Sequence, residues 1–211
     1  MSRLLAIEVD NKTKRHTVLL NTIKMLSNRD LINKSKVNKL FDNIKDKLSN
    51  NLEYIIDTDK GNNFKLKFVD TVVQTITKVP GIIDFLEDKK NTYNKILVVE
   101  DIKLKAYKQI LEYNNIEVFW HYELMINLID SIYVPKHEVL DENLEKYYLI
   151  NKNNCPKLEM TDPVARYYNL VPGQYVRIIR PSINSGYYNS YRVVVYSSFS
   201  KLFERWFLFN R

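Results

Sequence analysis

The sequence predicts an α/β first part, helices plus a mixed sheet with a parallel crossover, followed by a small α+β part. Three observations predict it. The run Ile96-Leu97-Val98-Val99 has no polar face, as in a strand covered on both sides, and a helical pattern over 103–113 and a β-rich run at 116–119 come after it. Strand, helix and strand in that order give two parallel strands joined by a right-handed crossover. Residues 161–192 then pack a helix start, a helix stop, a tight turn and two strands into one continuous run.

In chain order, Val18, Leu19, Ile23 and Leu26 recur at helical spacing, and Val37, Leu40, Phe41, Ile44 and Leu48 repeat the pattern, so two amphipathic helices open the chain. Periodicity is lost over 50–63, where Asp59-Lys60-Gly61-Asn62 reads as a turn. Phe64-Lys65-Leu66-Lys67-Phe68 alternates as a strand with one buried face does, and β-favouring residues continue over 72–77. Pro80-Gly81 breaks the strand, and Ile82, Ile83, Phe85 and Leu86 form a helical face. After the crossover, a short strand is expected from His137. A helix follows from Asp141, with Leu144, Tyr147 and Tyr148 inward, and then a loop over 151–154.

The stretch from Thr161 to Arg192 is locally the most consistent. Thr161 or Asp162 caps the free N–H groups of a helix beginning at Pro163, whose ring presets φ and whose missing N–H costs nothing there. Val164, Tyr167 and Tyr168 give its apolar face, and Asn169 closes it because Asn tolerates the left-handed conformation. Pro172-Gly173 suits a type II turn. Strands follow over 175–180 and 191–195, with a loop containing Gly186 between them. Beyond them, 197–211 carries Phe199, Leu202, Phe203, Trp206, Phe207 and Phe209, an aromatic density expected to fold back on its own domain or enter a neighbouring subunit.

With 211 residues, 45% hydrophobic and 27% charged, the chain has a globular rather than a disordered composition and room for one large or two small cores. Abundant Asn, Lys, Ile and Tyr beside only 4 glycines suggest an AT-rich genome, as of a large DNA virus or a protist. The net charge of +7 permits a nucleic-acid or acidic partner without demanding one. Cys155 is the single cysteine, so neither an intramolecular disulfide nor a Cys-based zinc site can form, and with no His or helix start beside it the thiol reads as inert. No apolar run reaches the ~18–20 residues that span a bilayer, and the leader lacks a signal-peptide core, so a soluble intracellular protein with no membrane contact is expected.

The order Asp-Pro-Val-Ala-Arg-Tyr from Asp162, then Gly173, Val176-Arg177-Ile178-Ile179-Arg180, Ser182, Gly186 and Tyr191-Arg192 closely resembles the C-terminal assembly domain of the fifth subunit of eukaryotic-type RNA polymerases, a domain that archaeal polymerases carry alone as a small separate protein. Val134-Pro135-Lys136-His137 resembles the entry to that domain. The first part resembles the family's N-terminal jaw domain by order of elements, with the closest agreement from Ile116 to His137, including Asn127. The chain departs from the family in Asn169, where a Gly is usual, in Ile183 and Asn184, where an acidic residue and a Thr are usual, and in continuing to Arg211.

The resemblance implies an α/β jaw domain over 1–133, an assembly domain over 134–196 and an aromatic extension over 197–211. It also implies a non-catalytic polymerase subunit acting in transcription, docked on the largest subunit and in contact with other polymerase subunits and with downstream double-stranded DNA. Polymerisation and its magnesium would belong to the large subunits. Such a subunit would sit in the nucleus if cellular, and in host cytoplasm or virion if viral. Expected interface residues are His137, Asp162, Pro163, Arg166, Arg177, Arg180, Ser182, Tyr191 and Arg192, the arginines because a guanidinium keeps paired hydrogen bonds under partial burial. Lys103 and Lys105, where a strand gives way to a helix, are the expected DNA contacts. No catalytic residue, cofactor or metal site is expected, since His16, His121 and His137 are far apart in sequence and no Gly-rich phosphate loop exists. Two alternatives stay open. Asp84 followed by the Asp-x-Lys of Asp101 and Lys103 matches the carboxylate pair and lysine of metal-dependent nucleases, and the charge also suits a stand-alone DNA-binding accessory protein.

Overall fold

The first helix starts where Asp10 accepts a hydrogen bond from the Thr13 amide, the ordinary way to satisfy a free N–H of an opening turn. The computed structural model describes residues 10–45, 52–87, 93–141, 143 and 154–196. The chain divides between Asn127 and Leu128 into two units.

In the first unit, α1 (Asn11–Asn28) and α2 (Val37–Lys45) lie where the spacing places two helices, but α1 is buried on nearly every side over 18–27, Asn21, Thr22 and Ser27 included, rather than along one stripe, and Leu48 lies outside the described residues. Val18, Leu19, Ile23 and Leu26 are fully buried, as the spacing requires. One strand escapes the pattern. β1 (Glu53–Ile56) lies in the stretch without periodicity, since four residues pairing antiparallel with β2 (Phe64–Val73) need no long alternation. β2 stops at Val73 and a 3-10 turn (Ile76–Lys78) replaces the expected continuation over 72–77. α3 (Ile82–Leu86), β3 (Asn94–Ile102), α4 (Leu104–Leu111), β4 (Ile116–Trp120) and α5 (His121–Leu124) follow. The strand order is β1-β2-β3-β4, with β2, β3 and β4 parallel, so the predicted mixed sheet with a parallel crossover is present.

Alternation sorts the sheet into two covered faces. Val69, Val73, Leu97, Val99 and Val118 pack with Ile82, Phe85 and Leu86 of α3 and Ala106 and Ile110 of α4. On the other face Leu66, Phe68, Ile96 and Val98 are equally buried, and there the Arg29 guanidinium at the end of α1 meets both oxygens of Glu117 on β4, at 2.8 and 2.7 Å. Two lysines of the first face hold α3 by its ends: Lys67 Nζ donates to the Gly81 carbonyl at 3.0 Å and Lys95 Nζ to the Leu86 carbonyl at 2.7 Å. Gly81 is favoured by its φ of +67°, and a Cβ there would stand 3.3 Å from Lys67 Nζ, a tight contact that this side chain would have to yield to slightly.

In the second unit, β5 (Lys136–Val139), β6 (Lys157–Glu159), α6 (Pro163–Tyr167), β7 (Tyr175–Ser182) and β8 (Gly186–Val195) build a four-stranded sheet of order β5-β7-β8-β6, in which only the β6–β8 pair is parallel. Leu158, Ala165, Leu170, Val176, Ile178 and Val194 form its core. β6 leaves no mark in the sequence, since three residues carry no period. The expected loop between 180 and 191 is instead mostly strand, and the hairpin turns within 183–185, with Gly186 at φ +73°. Asp141 lies outside regular structure, and Leu144, Tyr147, Tyr148, the 151–153 part of the expected loop and the 197–211 tail lie outside the described residues. Among the described residues no helix is long and apolar enough to cross a membrane.

Candidate functional site

The helix-to-hairpin stretch is built by local rules. Asp162 Oδ1 accepts from the Val164 amide at 2.8 Å with Pro163 at the first helical position. Asn169 takes φ +51°, and two bonds close the helix behind it, Asn169 N to Arg166 O at 3.0 Å and Leu170 N to Ala165 O at 2.9 Å, the Schellman pattern. The Gln174 amide then bonds the Val171 carbonyl at 3.2 Å across Pro172 and Gly173, whose φ of +93° is that of a type II turn. β7 leaves in a direction set by that turn, because the Gly173 amide also donates to the Val194 carbonyl of β8 at 2.9 Å.

The register distributes the expected interface residues over two faces. His137 stands opposite Ile178, Ser190 opposite Ile178, and Arg192 opposite Val176, so His137, Arg180, Ser182, Ser190 and Arg192 share the face that carries the core. Arg177 and its cross-strand neighbour Tyr191 lie on the opposite face. There the Arg177 guanidinium is engaged by Glu138 of β5, whose other oxygen takes Lys136 Nζ at 2.6 Å. Those two cations hold the Glu138 carboxyl below its ordinary value, Lys136 foremost. Arg166 and Pro163 are carried by α6, half-buried and exposed respectively.

The His137 ring is half-buried, and Nδ1 lies 2.7 Å from the Pro135 carbonyl, to which it donates. Burial, foremost, lowers its pKa, against the Pro135 hydrogen bond and the Asp162 charge, which raise it, while the charges of Arg180 and Arg192 lower it further. Sequence reasoning missed Ser190, whose Oγ is buried with no hydrogen-bond partner among the described residues, and Glu138. Counting two residues from Arg192 and one from His137 along their strands finds both, once the pairing is known.

In the first unit Lys103 and Lys105 are exposed at the start of α4, with Lys103 Nζ 3.6 Å from Asp101. Asp101 also accepts from the Ile102 amide at 2.8 Å, and Asp84 is exposed on α3. Among the described residues no three His, Cys, Asp or Glu side chains are grouped to hold an ion. His121 is buried between two carboxylates, with Nδ1 3.1 Å from Glu100 and Nε2 3.9 Å from Asp70, which in turn pairs with Arg15. The acids face opposite edges of one ring, and burial keeps its pKa low. His16 packs edge-on against Phe41. The Cys155 thiol is half-buried, and burial raises its pKa, the opposite of an activated nucleophile.

Residues 126–194 match the family described as RNA polymerase Rpb5, C-terminal domain, which takes in the whole of the second sheet up to Val194. Over 203 residues the chain is 32% identical to DNA-directed RNA polymerase subunit 5 of Acanthamoeba polyphaga mimivirus, covering 91% of this chain and 97% of that one. The chain belongs to the RNA polymerase subunit 5 family. Two further relatives align over shorter stretches. The subunit rpabc1 of DNA-directed RNA polymerases I, II and III from Dictyostelium discoideum is 33% identical over 137 residues, 61% of this chain and 70% of its own. RPABC1 of Caenorhabditis elegans reaches 42% identity over 84 residues, 38% of this chain and 40% of its own.

Proposed function

We propose that the protein is a non-catalytic subunit of a multi-subunit DNA-dependent RNA polymerase, intracellular, docked on the largest subunit through its second unit and touching downstream DNA with its first. The observation that carries the reading is the alignment with a polymerase subunit 5 over nearly that protein's full length. Docking is supported by a surface rich in Arg and Tyr around the hairpin, where Tyr187 is 73% and Tyr188 61% exposed, since those residue types are enriched where proteins meet. Contact with DNA is supported by Lys103 and Lys105, exposed cations that would meet phosphates without reading sequence. Affinity purification of the chain from its native source tests the first claim: the two largest polymerase subunits co-elute, and their absence refutes it. For the second, K103A/K105A in the assembled polymerase reduces the slope of log affinity against log salt by about one for each phosphate no longer neutralised. An unchanged slope removes these lysines from the DNA interface.

A further inference from the structure

We infer that the rim carrying Arg180 and Arg192 receives a carboxylate, the side chain of an aspartate or glutamate presented by a large polymerase subunit. The inference rests on the docking proposed above and adds the chemistry by which the two proteins meet. Arg180 and Arg192 project from neighbouring strands on one face, with Ser190 between them on that same face and Tyr188 directly across from Arg180. Among the described residues no carboxylate forms an ion pair with either arginine. Asp162 is the acid acting at this rim, and one of its oxygens is committed to the Val164 amide. The His137 Nδ1–H goes to the Pro135 carbonyl. Among the described residues no hydrogen bond or ion pair engages the exposed Arg180, and Arg192 makes only a long bond of 3.4 Å to the Lys157 carbonyl.

The choice of cation points to a carboxylate. From Thr161 to Tyr196 this lysine-rich chain contains Arg166, Arg177, Arg180 and Arg192 and no lysine. A planar guanidinium meets a carboxylate through two parallel hydrogen bonds and bears desolvation better than an ammonium. A nucleic-acid phosphate is the other anion that arginine grips, but exposed Tyr188 lies directly across from Arg180 and exposed Ile183 lies in the adjoining turn, and an aromatic beside arginine suits a protein interface.

The test uses the full chain co-expressed with the two largest polymerase subunits of the same genome. R180E/R192E lowers co-purification at least tenfold while leaving the melting profile of the free chain unchanged, and R180Q/R192Q serves if the reversal variant unfolds. In R180K, a water-soluble carbodiimide links the amine at position 180 to an aspartate or glutamate of a large subunit, located by mass spectrometry. Wild-type recovery of both arginine variants overturns the inference, as does assembly of R180K without a cross-link to a large-subunit carboxylate or with one to nucleic acid. Failure of the unaltered chain to capture the large subunits would instead refute the docking itself.

Discussion

Arg29 and Glu117 form the ion pair whose removal reports most directly on how the first unit is held together. The guanidinium makes two hydrogen bonds to the carboxylate, 2.8 and 2.7 Å, and the two side chains are 6% and 17% exposed. One lies at the end of α1 and the other on β4, so the pair joins the helical layer to the sheet edge. R29A leaves a nearly buried carboxylate without its cation, which costs about 3–5 kcal/mol, far above the ~0–1 kcal/mol of a surface pair. For a unit of this size that lowers the melting temperature by roughly 10–20 °C. The apolar double replacement R29M/E117L removes both charges and fills their space, so it recovers most of the loss. Fluorescence of Trp120 in a W206F background follows the transition from inside the unit. A melting temperature for R29A within about two degrees of wild type, or a double variant no better than R29A, would refute the claim that an uncompensated buried charge dominates at this junction.

Two further outcomes follow from the second unit. Glu138 is held below its ordinary carboxylate value of 4.5 by Lys136 and Arg177, so the stability it contributes is present above that pH and is lost as pH falls through the lowered folded value. E138Q therefore flattens the acid side of the stability curve below pH 4.5, and amide hydrogen exchange of β5 and β7 against pH measures it; parallel curves would show that the pair does not link to folding. Asn169 sits at φ +51° in the helix close, so N169G keeps stability within about 0.5 kcal/mol or improves it, whereas N169V, β-branched in a left-handed site, costs roughly 1–2 kcal/mol in chemical denaturation.

What can be read in advance depends on how far apart the interacting residues lie. The cap at Asp162, the helix close at Asn169 and the turn at Gly173 involve neighbours within a few positions, and all three appear where the residue types place them. The unbroken apolar run at 96–99 announces a strand covered on both faces, which β3 is. Short strands leave no such mark. β1 and β6 contain four and three residues, and each exists because a longer strand lies ready to pair with it. Residue types place a loop after Arg180, yet Tyr187 to Ser190 stay in strand because β7 supplies their hydrogen bonds.

The candidate interface shows the same division. Residue types and order name Arg177, Arg180, Tyr191 and Arg192 together, and chain order alone cannot say that they belong to opposite faces. Register decides it, sending Arg177 to Glu138 and leaving Arg180 and Arg192 beside His137 and Ser190. Residue order was enough for the family resemblance, the local caps and turns and the parallel crossover, because each is written in residues that are close together along the chain. Which charges are already paired, and which remain for a partner, emerges only on folding, because it depends on strands and helices meeting across dozens of residues, as when Arg29 finds Glu117.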